Sequence, residues 1–237
     1  MSLGSLAVFL ALVAFVVAAL LAGVWHTGPR PRRLGWTAAA ALGLAAWMGA
    51  TAALARSDWL STFDTMPPPA ALLLGGLLAG TVALAFSPLG RRLAHGVPLA
   101  ALVGVQAFRA PLEVLLHRLH TEGLLPVQMT YAGWNFDVAS GLLAVVLAVW
   151  LWRGRAPRGT VLAWNVLGVV LLVLVIATAV LSLPTPFQRF TAEPSTAAIV
   201  TMPLIWLPAV LVQGAILGHL LVFRRLFGRP PEASGAG

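Results

Sequence analysis

Residues 97–120 read VPLAALVGVQAFRAPLEVLLHRLH. As a helix this stretch is about 36 Å long at ~1.5 Å per residue, enough to cross a hydrocarbon core of about 30 Å. Besides Arg118 near its end, five polar side chains interrupt the apolar run: Gln106, Arg109, Glu113, His117 and His120. Their spacings are 3, 4, 4 and 3. At about 100° per residue, all five fall within roughly a quarter of the helix circumference. An arginine near mid-membrane costs at least ~2.5–3.5 kcal/mol, so this stripe must face a protein interior where Arg109 finds a partner. The segment therefore reads as one span of a helical bundle in lipid.

Working outward, further apolar spans fall at 4–26, 35–55, 70–88, 138–152, 161–183 and 198–223. The fifth of the seven, 138–152, is short and is expected to borrow residues from Gly133 onward. The first has no basic residue before it and too long an apolar run for a cleavable leader. No period-two alternation suggests a barrel. The expected fold is an all-α integral membrane protein, a bundle of about seven transmembrane helices forming one domain over residues 1–229. The stretch 230–237 is read as a disordered cytoplasmic tail. The composition agrees: 59% of the 237 residues are hydrophobic and 9% charged, against roughly 25% charged in soluble domains.

The net charge of +8 does not point to nucleic acid, because the arginines lie in short clusters between spans and form no continuous basic face. Arg30, Arg32 and Arg33 follow the first span, Arg91 and Arg92 the third, Arg153, Arg155 and Arg158 the fifth, and Arg224, Arg225 and Arg229 the seventh. Alternate loops are thus arginine-rich, and such short loops stay cytoplasmic. The expectation is an N-terminus outside, a C-terminus in the cytoplasm, and a bacterial inner-membrane location. The opposite loops, around 56–69, 121–137 and 184–194, mix aromatics, prolines and polar groups. They are expected to form an outer cap, with their aromatics as interfacial anchors.

The chain has no cysteine, which excludes disulfides, thiol catalysis, cysteine-ligated clusters and c-type haem attachment. All fifteen basic residues are arginine. Without lysine there is no Schiff base, so a retinal-type chromophore and lysine-based covalent catalysis are excluded as well. No cofactor motif is legible. His117 and His120 read as interfacial histidines before they read as metal ligands, and no metal site is assigned.

Within the stripe, Arg109 and Glu113 are one turn apart and are expected to pair, as are Glu113 and His117. Pro111 removes one backbone hydrogen bond and is expected to kink the helix. A structural ion pair would explain two of these residues. Five polar groups leading toward one surface suggest more, namely a ligand or proton path made of Gln106, Arg109, Glu113, His117 and His120, joined by Gln213 from the seventh span. Asn165, at the inner end of the sixth span, is expected to lie too far away. Thr178 and Ser182 are second-rank, since hydroxyls in membrane helices often bond their own backbone.

Four segments together resemble a group of uncharacterised bacterial multi-span inner-membrane proteins. They are FRAPLEVLLH at 108–117, MTYAGWNFD at 129–137, PTPFQRF at 184–190 and PLIWLP at 203–208, with the later His219. The likeness covers roughly the last 130 residues. It implies that Arg109, Glu113, His117, Asn135 and Asp137 form a shared outer-side feature, Asn135 and Asp137 belonging to the cap. It also implies an arginine where this chain has Trp134, and it implies no activity.

The leading functional expectation is a membrane protein that binds or transports a small polar or anionic solute, a lipid headgroup or a proton through an outward-opening polar pocket on the fourth helix. Its partners would be the bilayer and a small-molecule or lipid ligand, and no protein partner is assigned. One alternative is an intramembrane lipid-modifying enzyme with Glu113 and His117 as acid and base. Another is a membrane sensor or assembly factor.

Overall fold

A computed structural model describes residues 1–228, and the tail at 230–237 lies outside the described residues. Every regular element of the described chain is a helix. Helix α1 spans Leu3–Thr27, its start fixed by Ser2, whose Oγ accepts from the Ser5 N–H at 3.2 Å. Helix α2 spans Arg33–Arg56 and α3 spans Pro69–Phe86, the latter opening on a proline whose missing N–H has no partner to lose. Helix α4, Pro88–Gly96, is short and amphipathic. The apolar span expected at 70–88 does not run as one helix, because Ser87 ends α3 and caps α4 in the same step. Helices α5 (Leu99–Val105) and α6 (Arg109–Thr121) are joined by a 3₁₀ turn at Gln106–Phe108. The turn lies just before Pro111, whose ring disfavours the α-helical carbonyl position four residues earlier.

Helix α7 covers Asp137–Trp152 and α8 covers Arg158–Leu181. The last helix, α9 (Gln213–Phe227), is entered through a π-helical stretch at Leu207–Val212. The seventh span expected at 198–223 is not one continuous helix. Its first third is instead a 3₁₀ turn at Thr196–Val200 and irregular chain, because Pro203 and Pro208 interrupt the helical ladder there. The π-helix leaves two carbonyls available. That of Ala209 accepts from the Trp47 indole at 2.9 Å, and that of Pro208 from Gln213 Nε2 at 3.0 Å.

Six helices are long and apolar enough to cross a membrane: α1, α2 with its leading turn, α3, the joined α5–α6, α8 and α9. Helix α7 is the seventh apolar helix and too short to be counted with them. Its sixteen residues make about 24 Å of helix. The reason is positional. Asp137, its first residue, sits level with Arg109, twelve residues short of the far end of α6. The chain between Glu122 and Phe136 must therefore fold back along α6 before α7 begins. Leu125, Gln128, Met129, Thr130 and Asn135 of this re-entrant loop are all buried. Non-helical backbone at such depth is tolerated only where protein covers it.

Helices α5 to α9 pack closely, whereas α2 buries only Thr51 and Ala52 and stands at the periphery. One apolar core gathers Phe9, Leu116, Leu119 and Ile205 near the re-entrant loop, and a second gathers Leu93, Ala94, Val103 and Val222 at the opposite end. The loops sort to two ends as well. Arg224 donates to the Ser87 carbonyl, Arg225 to that of His95 and Arg158 to that of Leu226, while Arg92 stacks on Trp36 at 4.7 Å. The arginine-rich loops thus share one end. At the other, Glu122 accepts from the hydroxyls of Ser2 and Ser5 at 2.7 and 2.5 Å, and the turn at Trp59–Ser61 touches the turn at Thr196–Val200.

Candidate functional site

Arg109 is 1% exposed, and each of its five N–H donors has an acceptor. Nε donates to Asp137 Oδ2 at 2.6 Å, and one terminal nitrogen donates to Asp137 Oδ1 and to the Gly168 carbonyl. The other donates to Ser140 Oγ at 2.9 Å and meets His219 Nε2 at 2.6 Å. Three helices besides α6 therefore converge on one guanidinium: α7 through Asp137 and Ser140, α8 through Gly168, and α9 through His219. Because Nε2 accepts, the imidazole carries its proton on Nδ1, which donates to Asn165 Oδ1 at 2.8 Å. Asn165 Nδ2 returns a bond to the His219 carbonyl at 3.2 Å. Trp164 donates to the Ser140 carbonyl at 3.1 Å, its ring 5.2 Å from that of His219.

This differs from the expected Arg109–Glu113 pair. The ion pair is Arg109–Asp137. Its fork is bidentate, the strongest arrangement of guanidinium and carboxylate. A neighbour one turn away cannot offer that geometry, whereas a carboxylate arriving head-on from a facing helix can. Asn165, expected to lie out of reach, is one link from Arg109. It is seven residues into α8, roughly 10 Å along the axis, and His219 bridges the remaining distance.

Two glycines make the convergence possible. A Cβ on Gly168 would lie 2.3 Å from His219 Cε1 and 2.9 Å from Ser140 Oγ. A Cβ on Gly141 would lie 2.5 Å from the Ala110 backbone nitrogen, so α6 and α7 approach closely only because that position is bare.

One turn along α6, Glu113 is also 1% exposed. Its Oε1 accepts from Asn135 Nδ2 at 2.8 Å. Asn135 also donates to the Met129 carbonyl at 3.1 Å and accepts the Asp137 N–H at 3.1 Å. The asparagine thus fastens the re-entrant loop to α6 and to the first turn of α7. Glu113 Oε2 has no partner. One turn further, His117 Nδ1 is likewise buried without a partner, while its ring stacks on Tyr131 with centroids 4.5 Å apart. His120 meets the Leu125 carbonyl at 2.9 Å through Nδ1.

The other two members of the predicted path lie apart. Gln106 is fully buried, donates to the Ala215 carbonyl at 3.2 Å and leaves its Oε1 unpartnered. Gln213 accepts from Thr81 at 2.7 Å on the side of α9 that faces α3. Of the residues brought together here, the family resemblance implies Arg109, Glu113, Asn135 and Asp137 as one feature. The spacing alone assigns no role to Ser140, Gly168 or His219, and it sets Asn165 aside. A readable signal existed for two of them: Asn165 and His219 are polar residues inside long apolar runs, where a partner is required.

At the surface end of this unit, Glu122 is held low, to about 2, chiefly by the Ser5 hydroxyl and then by Ser2. That contact ties the start of α1 to the end of α6.

No curated protein and no solved structure matches this chain. One family model does match, over residues 67–227, a stretch that holds every residue of the Arg109 and Glu113 clusters and leaves out α1 and α2. With more than half of its length covered, the chain belongs to the family described as a domain of unknown function, DUF8737.

Proposed function

We propose that this protein is a seven-span bacterial inner-membrane protein, N-terminus outside, in which Glu113 binds a proton that enters from the outer face past His117. Gain or loss of that proton moves the re-entrant loop through Asn135. The protein is then a proton-responsive binding or transport protein. The observation that carries this reading is the pair of unpartnered buried atoms, Glu113 Oε2 and His117 Nδ1, one helical turn apart on a path toward the outer end. Buried polar atoms are almost always paired, so two adjacent exceptions mark a place where a proton or a water is handled. The charged and titratable groups facing Glu113 are Arg109 and His117 on its own helix and Asp137 on α7. Tyr131, on the loop, stacks over His117. Arg109 and Asp137 balance one another, which leaves Glu113 without a cation of its own.

Recognition of an anionic solute or headgroup by Arg109 is the weaker variant, since all five of its donors are engaged. Acid–base catalysis by Glu113 and His117 lacks an electrophilic stabiliser for the same reason. The outward orientation rests on the arginine-rich loops, which stay cytoplasmic.

The test is infrared spectroscopy on the reconstituted protein as external pH is stepped. A carboxylic-acid carbonyl band, assigned by its loss in Glu113→Gln, should rise and fall with pH. In His117→Ala the response should slow by about tenfold or more, as removal of a proton-transfer group does. Thiol labelling of Ala132→Cys, an exposed loop position, should follow the same titration. A band and a labelling rate indifferent to pH would overturn the proposal.

A further inference from the structure

A cavity of about 970 Å³ opens between α1, α2, α3, the α4–α5 turn and α9, on the side of the molecule away from the Arg109 cluster. Its size is at the upper end of the ~300–1,000 Å³ typical of ligand sites. The walls are almost wholly apolar side chains, with Thr81 and Gln213 bonded to each other among them. Trp47, which donates to the Ala209 carbonyl, lines it together with Ala209. From there it runs along α1 and α2 to His26 and Thr37, at the arginine-rich end. On α2 the lining runs from Thr37 to Trp47, ten residues or about 15 Å of helix. The cavity therefore runs lengthwise along α1 and α2 between almost wholly apolar walls.

Its mouth has the opposite character. Thr37 and Leu93 line the cavity, and their chain neighbours Trp36 and Arg92 stack against each other at its rim. Arg30, Arg32 and Arg33 stand on the same turn and Arg91 precedes Arg92. No described carboxylate shares this end. Asp58, Asp64, Glu122 and Glu193 belong to the opposite loops, and Glu113 and Asp137 lie in the interior. An apolar slot beneath an arginine cluster that no described carboxylate accompanies complements one kind of molecule.

We infer that this cavity is a binding site for one anionic phospholipid, its chain lying between α1, α2 and α3 and its phosphate held at the rim by Arg92 and the arginines of the 30–33 turn. This site is separate from the Glu113 path, and its occupancy does not depend on protonation there.

Native mass spectrometry of the intact protein, delipidated and then titrated with phosphatidylglycerol, tests the inference. Expected is one tightly retained lipid. Phosphatidylcholine with the same chains keeps the phosphate but brings a trimethylammonium to the arginines, and should bind about fivefold more weakly or worse. Glycerol phosphate, which has the headgroup without chains, should not compete. Gly80→Phe should abolish retention, since Gly80 lines the cavity and a Cβ there meets nothing within 4 Å. Gly43→Phe, equally unobstructed but outside the cavity lining, should retain the lipid and controls for folding. Arg92→Gln, on an exposed side chain, should weaken phosphatidylglycerol about fivefold and narrow its advantage over phosphatidylcholine. Equal affinity for the two lipids, full retention by Gly80→Phe, or competition by glycerol phosphate would each overturn the assignment.

Discussion

Arg109 joins four helices through one planar group, so its removal should be felt far beyond its own contacts. Replacing it by Met leaves the Asp137 carboxylate buried beside a partner that no longer exists. Breaking a buried pair in this way typically costs about 3–5 kcal/mol. Asp137→Asn should lose a similar amount, and the double variant Arg109→Met/Asp137→Leu should recover a substantial part of it in thermal unfolding in detergent. A double variant as poor as the sum of the singles would show that the two do not act as a pair. Gly168→Ala belongs with this group, since its methyl would displace His219 and Ser140 together. The sequence made Arg109 conspicuous through its cost in lipid. It hid the partner, because Asp137 lies 28 residues away and an (i, i+4) carboxylate stood ready to claim the role. Helical spacing identifies which side chains share a face. It is silent on which of them a facing helix will reach.

Between elements, the decisive contacts are those of α7 and the loop before it. Gly141→Ala would press a methyl into the α6 backbone, an obstacle that cannot rotate away, and should lower the yield of folded protein sharply. Gly75→Ala, where a Cβ meets nothing, should gain up to about 1 kcal/mol from helix propensity alone. Thermal unfolding of the two variants side by side checks both signs. Helix α1 is held to α6 by Glu122. Its carboxyl is held below the ordinary 4.5, at about 2, mainly by the Ser5 and Ser2 hydroxyls. A carboxylate held low contributes fully above its unfolded value and is lost as pH falls through the folded one. A spin label at Leu3→Cys should therefore be restrained at neutral pH and gain mobility between about pH 4.5 and 2. In the Glu122→Gln background it should be mobile throughout. The long apolar runs at 4–26, 35–55 and 161–183 were legible because length and hydropathy alone define a span in lipid. The re-entrant loop was not, since residues 122–136 carry the polar and turn-forming composition of an ordinary surface loop. Only the shortness of α7 hinted that its start lies deep. The break at 201–206 was marked by Pro203 and Pro208, which were read as features within a span and not as its end.

For the molecule as a whole, charge separates along one axis. The arginine-rich loops interlock at one end through Arg158, Arg224 and Arg225, each donating to a backbone carbonyl of another segment. The other end carries Asp58, Asp64, Glu122 and Glu193 with few arginines. Because these arginines lie in short loops beside the spans, their placement fixes orientation more strongly than acidic residues do. The arginine end should face the cytoplasm. Natural absence of cysteine makes single introduced thiols clean reporters. Ser61 is exposed in the turn after α2, and Gly159 is exposed in the first turn of α8, where a side chain meets no neighbour. In intact cells with a permeable outer barrier, a membrane-impermeant maleimide should label Ser61→Cys and leave Gly159→Cys untouched until the membrane is opened. The reverse pattern would invert the topology. It would then place His117 on the cytoplasmic side, so that the Glu113 proton would come from within and the external-pH response would fail. The lipid site would move to the outer leaflet but keep its chemistry, because its chain slot and arginine rim are features of the fold and not of its orientation. Orientation therefore separates the two proposals: one depends on which end faces out, and the other does not.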